Sequence, residues 1–219
     1  MATLEGGAYD DALFGSRFDD FIRAHAGNDF VNGGNGNDII FGDEGDDVLF
    51  GGNGNDALFG GNENDILYGE NGNDVLLGGS GDDVLFGGNG DDLLLGGDGN
   101  DFLVGGRGDD VLFGGAGNDI INGGAGDDIM AGGAGSDVFV FDGGGGNDVI
   151  LDFTPGEDVL QISKGINGLD ITSAEDLASR VTQVGGNVVI DLGHGDTLTL
   201  VNADANDIQA NPENYFTIH

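Results

Sequence analysis

Every ninth residue from Asp11 to Asp137 is an aspartate. The fifteen carboxylates of Asp11, Asp20, Asp29, Asp38, Asp47, Asp56, Asp65, Asp74, Asp83, Asp92, Asp101, Asp110, Asp119, Asp128 and Asp137 are candidate ligands for a hard cation. Calcium takes about six to eight oxygens, from carboxylates and backbone carbonyls, and needs neither nitrogen nor sulfur. Other common metal chemistry is excluded by residue type. The chain has no Cys, and its three histidines, His25, His194 and His219, are far apart in sequence. Asparagine would serve almost as well if this position only made side-chain turns. No unit uses it there, although the preceding position takes it freely at Asn37, Asn55, Asn73 and Asn118.

The elements that must position these carboxylates are legible in the same period. From Gly6 to Val140 the chain is fifteen consecutive nonapeptides without insertion, as in GGNGNDIIF at 33–41 and GGSGDDVLF at 78–86. The first position is Gly in fourteen units, with Ala24 the exception; the fourth is Gly in twelve, with Tyr9, Phe18 and Glu63 the exceptions. Glycine there permits positive φ and close backbone approach, so the first six residues of each unit are predicted to form a tight turn. The last three are β-branched, aliphatic or aromatic and suit a short strand. Alternation sends the eighth residue, from Leu13 to Phe139, to one face and its neighbours to the other. One unit cannot bury its own apolar side chain, so successive units must stack into a solenoid.

Charge sets a further condition. The 219 residues carry a formal charge of −36, which excludes electrostatic binding to nucleic acid or to an anionic membrane surface. Residues 6–140 hold 27 acidic against 3 basic residues, a net of −24. Aspartates stacked at the spacing of neighbouring strands, about 4.8 Å, would repel strongly. Folding and cation binding are therefore expected to be one event.

The motif GGxGxDxUx, in which U is a large apolar residue, resembles the RTX (repeats-in-toxin) nonapeptide. The resemblance covers about 135 of the 219 residues. It implies an all-β fold: a right-handed parallel β-roll with two nonapeptides per turn, followed by a small α+β C-terminal cap. Calcium would sit between loops one turn apart, held by the sixth-position Asp carboxylates and backbone carbonyls of the same loops. Fifteen units paired in this way offer at most 13 such positions. The departures at Tyr9, Phe18 and Glu63 lower the expectation to on the order of ten ions. The family also implies export by a type I secretion apparatus and an extracellular location, with calcium-driven folding outside the cell.

The expected division is 1–142 for the roll and 143–219 for a capping and secretion-signal region. GGGGNDVIL at 143–151 resembles one displaced unit, and DFTPGEDVLQI at 152–162 resembles the segment that ends the rolls of serralysin-type proteases. Asp152, Glu157 and Asp158 read equally as ion ligands or as turn and surface carboxylates and are not counted among the candidate ligands. Ser173 to Asp176 reads as a capping box, with Leu177, Val181 and Val184 at helical spacing. NVVIDL at 187–192 and TLTLV at 197–201, joined by GHGD, read as a hairpin. The ending NYFTIH at 214–219 is comparable to the apolar endings of type I export signals, and the N-terminus lacks the pattern of a cleaved signal peptide.

Catalytic readings find no residues to carry them. There is no HExxH pair, no GxSxG serine, and no Lys and following helix after the GxG runs. The expected role is a secreted, structural calcium-binding roll. The alternatives are an export and folding module of a larger secreted enzyme and, less favoured, an ice-binding or membrane-active protein. The third position, which holds Asn35, Asn53, Ser80 and Arg107 but never Thr, speaks against ice binding. The ninth position forms an apolar ladder through Phe41, Phe50, Phe59, Tyr68 and Phe86. It either faces a protein partner, a second copy or the tail itself, or is shielded by its own neighbouring rungs.

Overall fold

A computed structural model describes residues 3–219. From Phe21 to Ala134 the strands run for six residues, as in Val84–Asn89 and Leu93–Asp98, rather than the three expected. The first three residues of each following unit extend the strand, because they pair with their equivalents one turn away. Gly88 lies opposite Gly106, and Asn89 opposite Arg107. Only the fourth to sixth positions remain for the turn.

All pairing between repeats is parallel and offset by eighteen residues, two units per turn. Odd and even units separate into two sheets, one beginning at Thr3–Glu5 and the other at Ala12–Phe14. The eighth-position side chains point between the sheets. Every one from Ile22 to Phe139 is fully buried, while the first, Leu13, is only half-buried at the open end. The core is thus one file of aliphatic residues per sheet, each contributing about 1.5–3 kcal/mol on burial.

The ninth-position rings face one another along the roll. Phe41 and Phe59 stack at 4.6 Å, Phe50 and Tyr68 at 4.7 Å, and Tyr68 and Phe86 at 5.1 Å. Parallel strands in register bring each ring over the next, so the rungs shield one another.

The tail carries both sheets onward with strands that are no longer repeats. Asn147–Ile150 and Val159–Ile162 each add in parallel to the last repeat strand of their sheet. Asp196–Leu200 and Phe216–Ile218 add beyond them, again in parallel. The hairpin read from the sequence is present, with Asn187–Gly193 antiparallel to Asp196–Leu200. The helix is shorter than its spacing suggests. It spans Ala174–Ala178 behind the Ser173 capping box, and Val181–Val184 is a strand antiparallel to Asn187–Gly193. Three of those four residues are β-branched and Gly185-Gly186 follows, so local preference and cross-strand pairing both favour the extended form. The final strand, Phe216–Ile218, places half of the ending NYFTIH inside a sheet.

Candidate metal centre

Each sixth-position aspartate ends a turn and opens a strand, so its backbone is held from both sides. The carbonyl of Asp65 accepts the N–H of Val84 at 2.9 Å, one turn on. The backbone N–H of Asp65 donates to Oδ1 of Asp83 at 2.8 Å, and that of Asp83 to Oδ1 of Asp101 at 2.8 Å. The pattern runs unbroken from Asp11 to Asp137 along both edges. It fixes every carboxylate in the same orientation.

That leaves the second oxygen. From Asp29 to Asp137, thirteen successive Oδ2 atoms are buried and accept no hydrogen bond. A buried carboxylate oxygen without a partner is costly, and thirteen in file do not arise by accident. Asp11 and Asp20 differ. They stand in the outermost turn, and their Oδ2 atoms accept the N–H of Gly7 at 2.6 Å and of Ser16 at 2.7 Å.

The surroundings of Oδ2 are oxygen-rich and too tight for carbon. A Cβ at Gly60 would press against Oδ2 of Asp65 and lie 2.7 Å from the carbonyl oxygen of Gly78, one turn on. Oxygens about a bound calcium sit at roughly 2.3–2.6 Å. Among the described residues no three acidic or histidine side chains gather into a cage. The donors are one carboxylate per loop with backbone carbonyls, a mix that fits calcium and no softer metal. The residues present fit the ion.

Burial sets the electrostatics. It raises the Asp65 carboxyl to about 8, the Asp47, Asp56 and Asp110 carboxyls to about 7, and the Asp74, Asp83, Asp92, Asp101, Asp119 and Asp128 carboxyls to about 6. The hydrogen bond from the preceding turn opposes this rise, and neighbouring carboxylates mostly add to it. A charge held this way needs a counter-charge at short range.

The structure adds residues that the nine-residue count passes over. Asp148 and Asp158 continue the two Oδ1 files, accepting from Asp128 at 3.1 Å and Asp137 at 3.0 Å. Their offsets of twenty and twenty-one residues hide them from a strict period, although the displaced unit at 143–151 points to Asp148. Asp152 joins neither file, and its two oxygens take the N–H groups of Gly132 and Gly133 at 3.0 and 2.9 Å. The fifth position forms a second ladder. Its side-chain oxygens accept the backbone N–H of the fifth residue one turn later, as from Asn55 to Asn37 at 2.9 Å and Asn73 to Asn55 at 3.0 Å. The column of Asn and Asp at that position was the available signal. The loop with Glu63 at its fourth position keeps the pattern, since Asp65 is buried like the rest and Glu63 Oε2 accepts the N–H of Gly45 at 3.0 Å.

The family model for the RTX calcium-binding nonapeptide repeat (4 copies) matches residues 5–40, 32–67, 41–76, 68–103, 104–139 and 140–151. No curated protein matches the chain. Among solved structures, it is similar to the extracellular lipase LipA from Serratia marcescens, at 20% identity and a TM-score of 0.48, with 93% of this chain and 39% of the lipase covered. It is also similar to two subunits of the Azotobacter vinelandii mannuronan C5-epimerase. AlgE6R2 is 25% identical, with 60% of this chain and 89% of that chain covered and a TM-score of 0.42. AlgE6R3 is 28% identical, with 64% and 77% covered and a TM-score of 0.33. The chain spans about two-fifths of the length of the lipase.

Proposed function

Because the chain belongs to the family of RTX calcium-binding nonapeptide repeats, we propose that it is a calcium-dependent structural roll of the extracellular space, unfolded where calcium is scarce and folded where it is abundant. The observation that carries this reading is the file of thirteen buried, unpartnered Oδ2 atoms from Asp29 to Asp137. The fifteen repeat aspartates would hold the ions, together with glycine carbonyls of facing loops. Bound calcium supplies the positive charge that offsets the carboxylate files. The chain's own part is geometric: backbone N–H groups fix Oδ1, and glycines lacking a Cβ let facing loops approach. Extracellular calcium modules bind with Kd of about 10⁻⁴–10⁻³ M, which suits a switch between the cytosol and the outside. The roll would occupy roughly residues 1–142, with 143–219 serving as its cap and as the region read by a type I secretion apparatus.

Circular dichroism of the full chain tests the central claim. In excess chelator at pH 7.5 the β-signal should be absent. It should appear cooperatively as calcium rises to about 10 mM, roughly ten times the weakest of those constants. The same β-rich spectrum in chelator and in calcium would overturn the proposal.

A further inference from the structure

Four Asn-Gly steps stand one above another on the roll: Asn35-Gly36, Asn53-Gly54, Asn71-Gly72 and Asn89-Gly90. They occupy the third and fourth positions of alternate units, and their asparagines pair in register from one strand to the next. Asn-Gly is the dipeptide most open to deamidation, because glycine has no side chain to obstruct attack by its own backbone nitrogen. Hydroxide takes the proton of the glycine N–H, and the nitrogen bonds to the asparagine side-chain carbon. The side-chain amine leaves as ammonia, taking a proton from water. Water then opens the cyclic imide at either carbonyl, giving aspartate or isoaspartate.

Burial does not protect these residues, since all four asparagines are exposed. Hydrogen bonds do, and each rung supplies them to the rung before. The N–H of Gly36 donates to the carbonyl of Asn53 at 2.8 Å, that of Gly54 to Asn71 at 2.9 Å and that of Gly72 to Asn89 at 2.9 Å. Gly90 donates to the carbonyl of Arg107 at 2.7 Å. The side chains repeat the arrangement: Nδ2 of Asn53 donates to Oδ1 of Asn35 at 3.1 Å, that of Asn71 to Asn53 at 3.2 Å and that of Asn89 to Asn71 at 2.9 Å. In the roll the attacking nitrogen therefore faces the next turn with its proton engaged. In the unfolded chain neither restraint exists.

We propose that these four steps are deamidation sites that folding closes, so that a chain left unfolded is covalently marked and barred from the roll. Each event adds a negative charge to a file that is neutral from Asn35 to Asn89. An isoaspartate also lengthens the main chain by a methylene where strands pair in strict register. The inference rests on the calcium-dependent folding proposed above only for what holds the chain unfolded; the covalent chemistry is independent of the ion.

In the test, full-length protein is aged in mildly alkaline buffer with calcium, with chelator, and with calcium plus enough guanidinium chloride to unfold it. Peptide mapping by mass spectrometry follows aspartate and isoaspartate at residues 35, 53, 71 and 89. All four should react at least about tenfold more slowly in calcium than in guanidinium, since reaction in the roll needs the local opening that hydrogen exchange also reads. Comparable rates in those two conditions, or asparagines that stay intact in guanidinium, overturn the proposal. After return to calcium, isoaspartate at the four positions should be concentrated in the chains that fail to refold, separated by size exclusion. An even distribution between refolded and unfolded chains overturns it as well. Slow reaction in chelator beside fast reaction in guanidinium would leave the four sites standing and show instead that the calcium reading has failed.

Discussion

Tyr9, Phe18 and Glu63 all stand where the repeat wants glycine, yet they are not equivalent. The Cα–Cβ direction at the fourth position points toward the loop one turn earlier: a Cβ at Gly54, whose φ is +128°, would collide with the carbonyl of Gly36. Tyr9 and Phe18 belong to the first two units, which have no earlier loop to strike, and their side chains are 85% and 56% exposed. The glycine rule lapses there for a steric reason. Glu63 obeys it at a cost, with a φ of 70° and a carboxylate that repays part of the strain by bonding Gly45. At the sixth position no such latitude exists. Asp83→Asn keeps an oxygen for the N–H of Asp65 but replaces the buried anion by a neutral amide. In saturating calcium it should destabilise the roll by about 2 kcal/mol, the scale of a hydrogen bond to a charged group. It should also raise the calcium concentration at which the β-signal appears, because one ligand charge is missing. Denaturant titration in saturating calcium and calcium titration followed by circular dichroism check this, and an unchanged calcium midpoint would mean the carboxylate serves only as a turn former.

Among the elements, the repeat strands and their register were legible because one period dictated turn, strand and core together, and a one-residue slip would turn every Leu outward. The tail was legible only where local signals were strong: the Ser173 cap and the hairpin closed by His194-Gly195. The strand Val181–Val184 was hidden because valines three residues apart also fit a helix, and only pairing with Asn187–Gly193 decided between them. Phe216–Ile218 was hidden for another reason. Its partner, Val159–Ile162, lies more than fifty residues earlier, and no short-range pattern reports such a contact. A comparable separation lies between Tyr215 and the ring it stacks on, Phe153, at 5.6 Å, which in turn contacts Phe139, the last eighth-position residue. Tyr215→Ala should therefore cost about 3–5 kcal/mol locally. In a solenoid each unit is coupled mainly to its neighbours, so the loss should stay near the tail. Hydrogen exchange should accelerate in Val138–Phe141, Val159–Ile162 and Phe216–Ile218 and remain unchanged before Leu93. Uniform acceleration along the chain would mean that the whole roll melts as one unit.

For the whole molecule, the carboxylate files make stability depend on pH with a sign set by calcium. Without the ion, burial holds the folded-state values near 6 to 8 at Asp47, Asp56, Asp65, Asp74, Asp83, Asp92, Asp101, Asp110, Asp119 and Asp128. The unfolded chain titrates near the ordinary aspartate value, about 3.9. Groups raised on folding bind more protons in the folded state, so their contribution is whole below about pH 4 and is lost as pH climbs through 6 to 8. With calcium the aspartates must be deprotonated to act as ligands, and protons compete with the metal. Affinity, and with it stability, then rises with pH over the same range. Circular dichroism and thermal melts between pH 5 and 8, kept above the sequence pI of about 4.1, should show the β-signal in chelator present near pH 5 and gone by pH 7.5, and stability in saturating calcium rising with pH. Parallel trends in the two series would mean that the buried carboxylates are not what the ions neutralise.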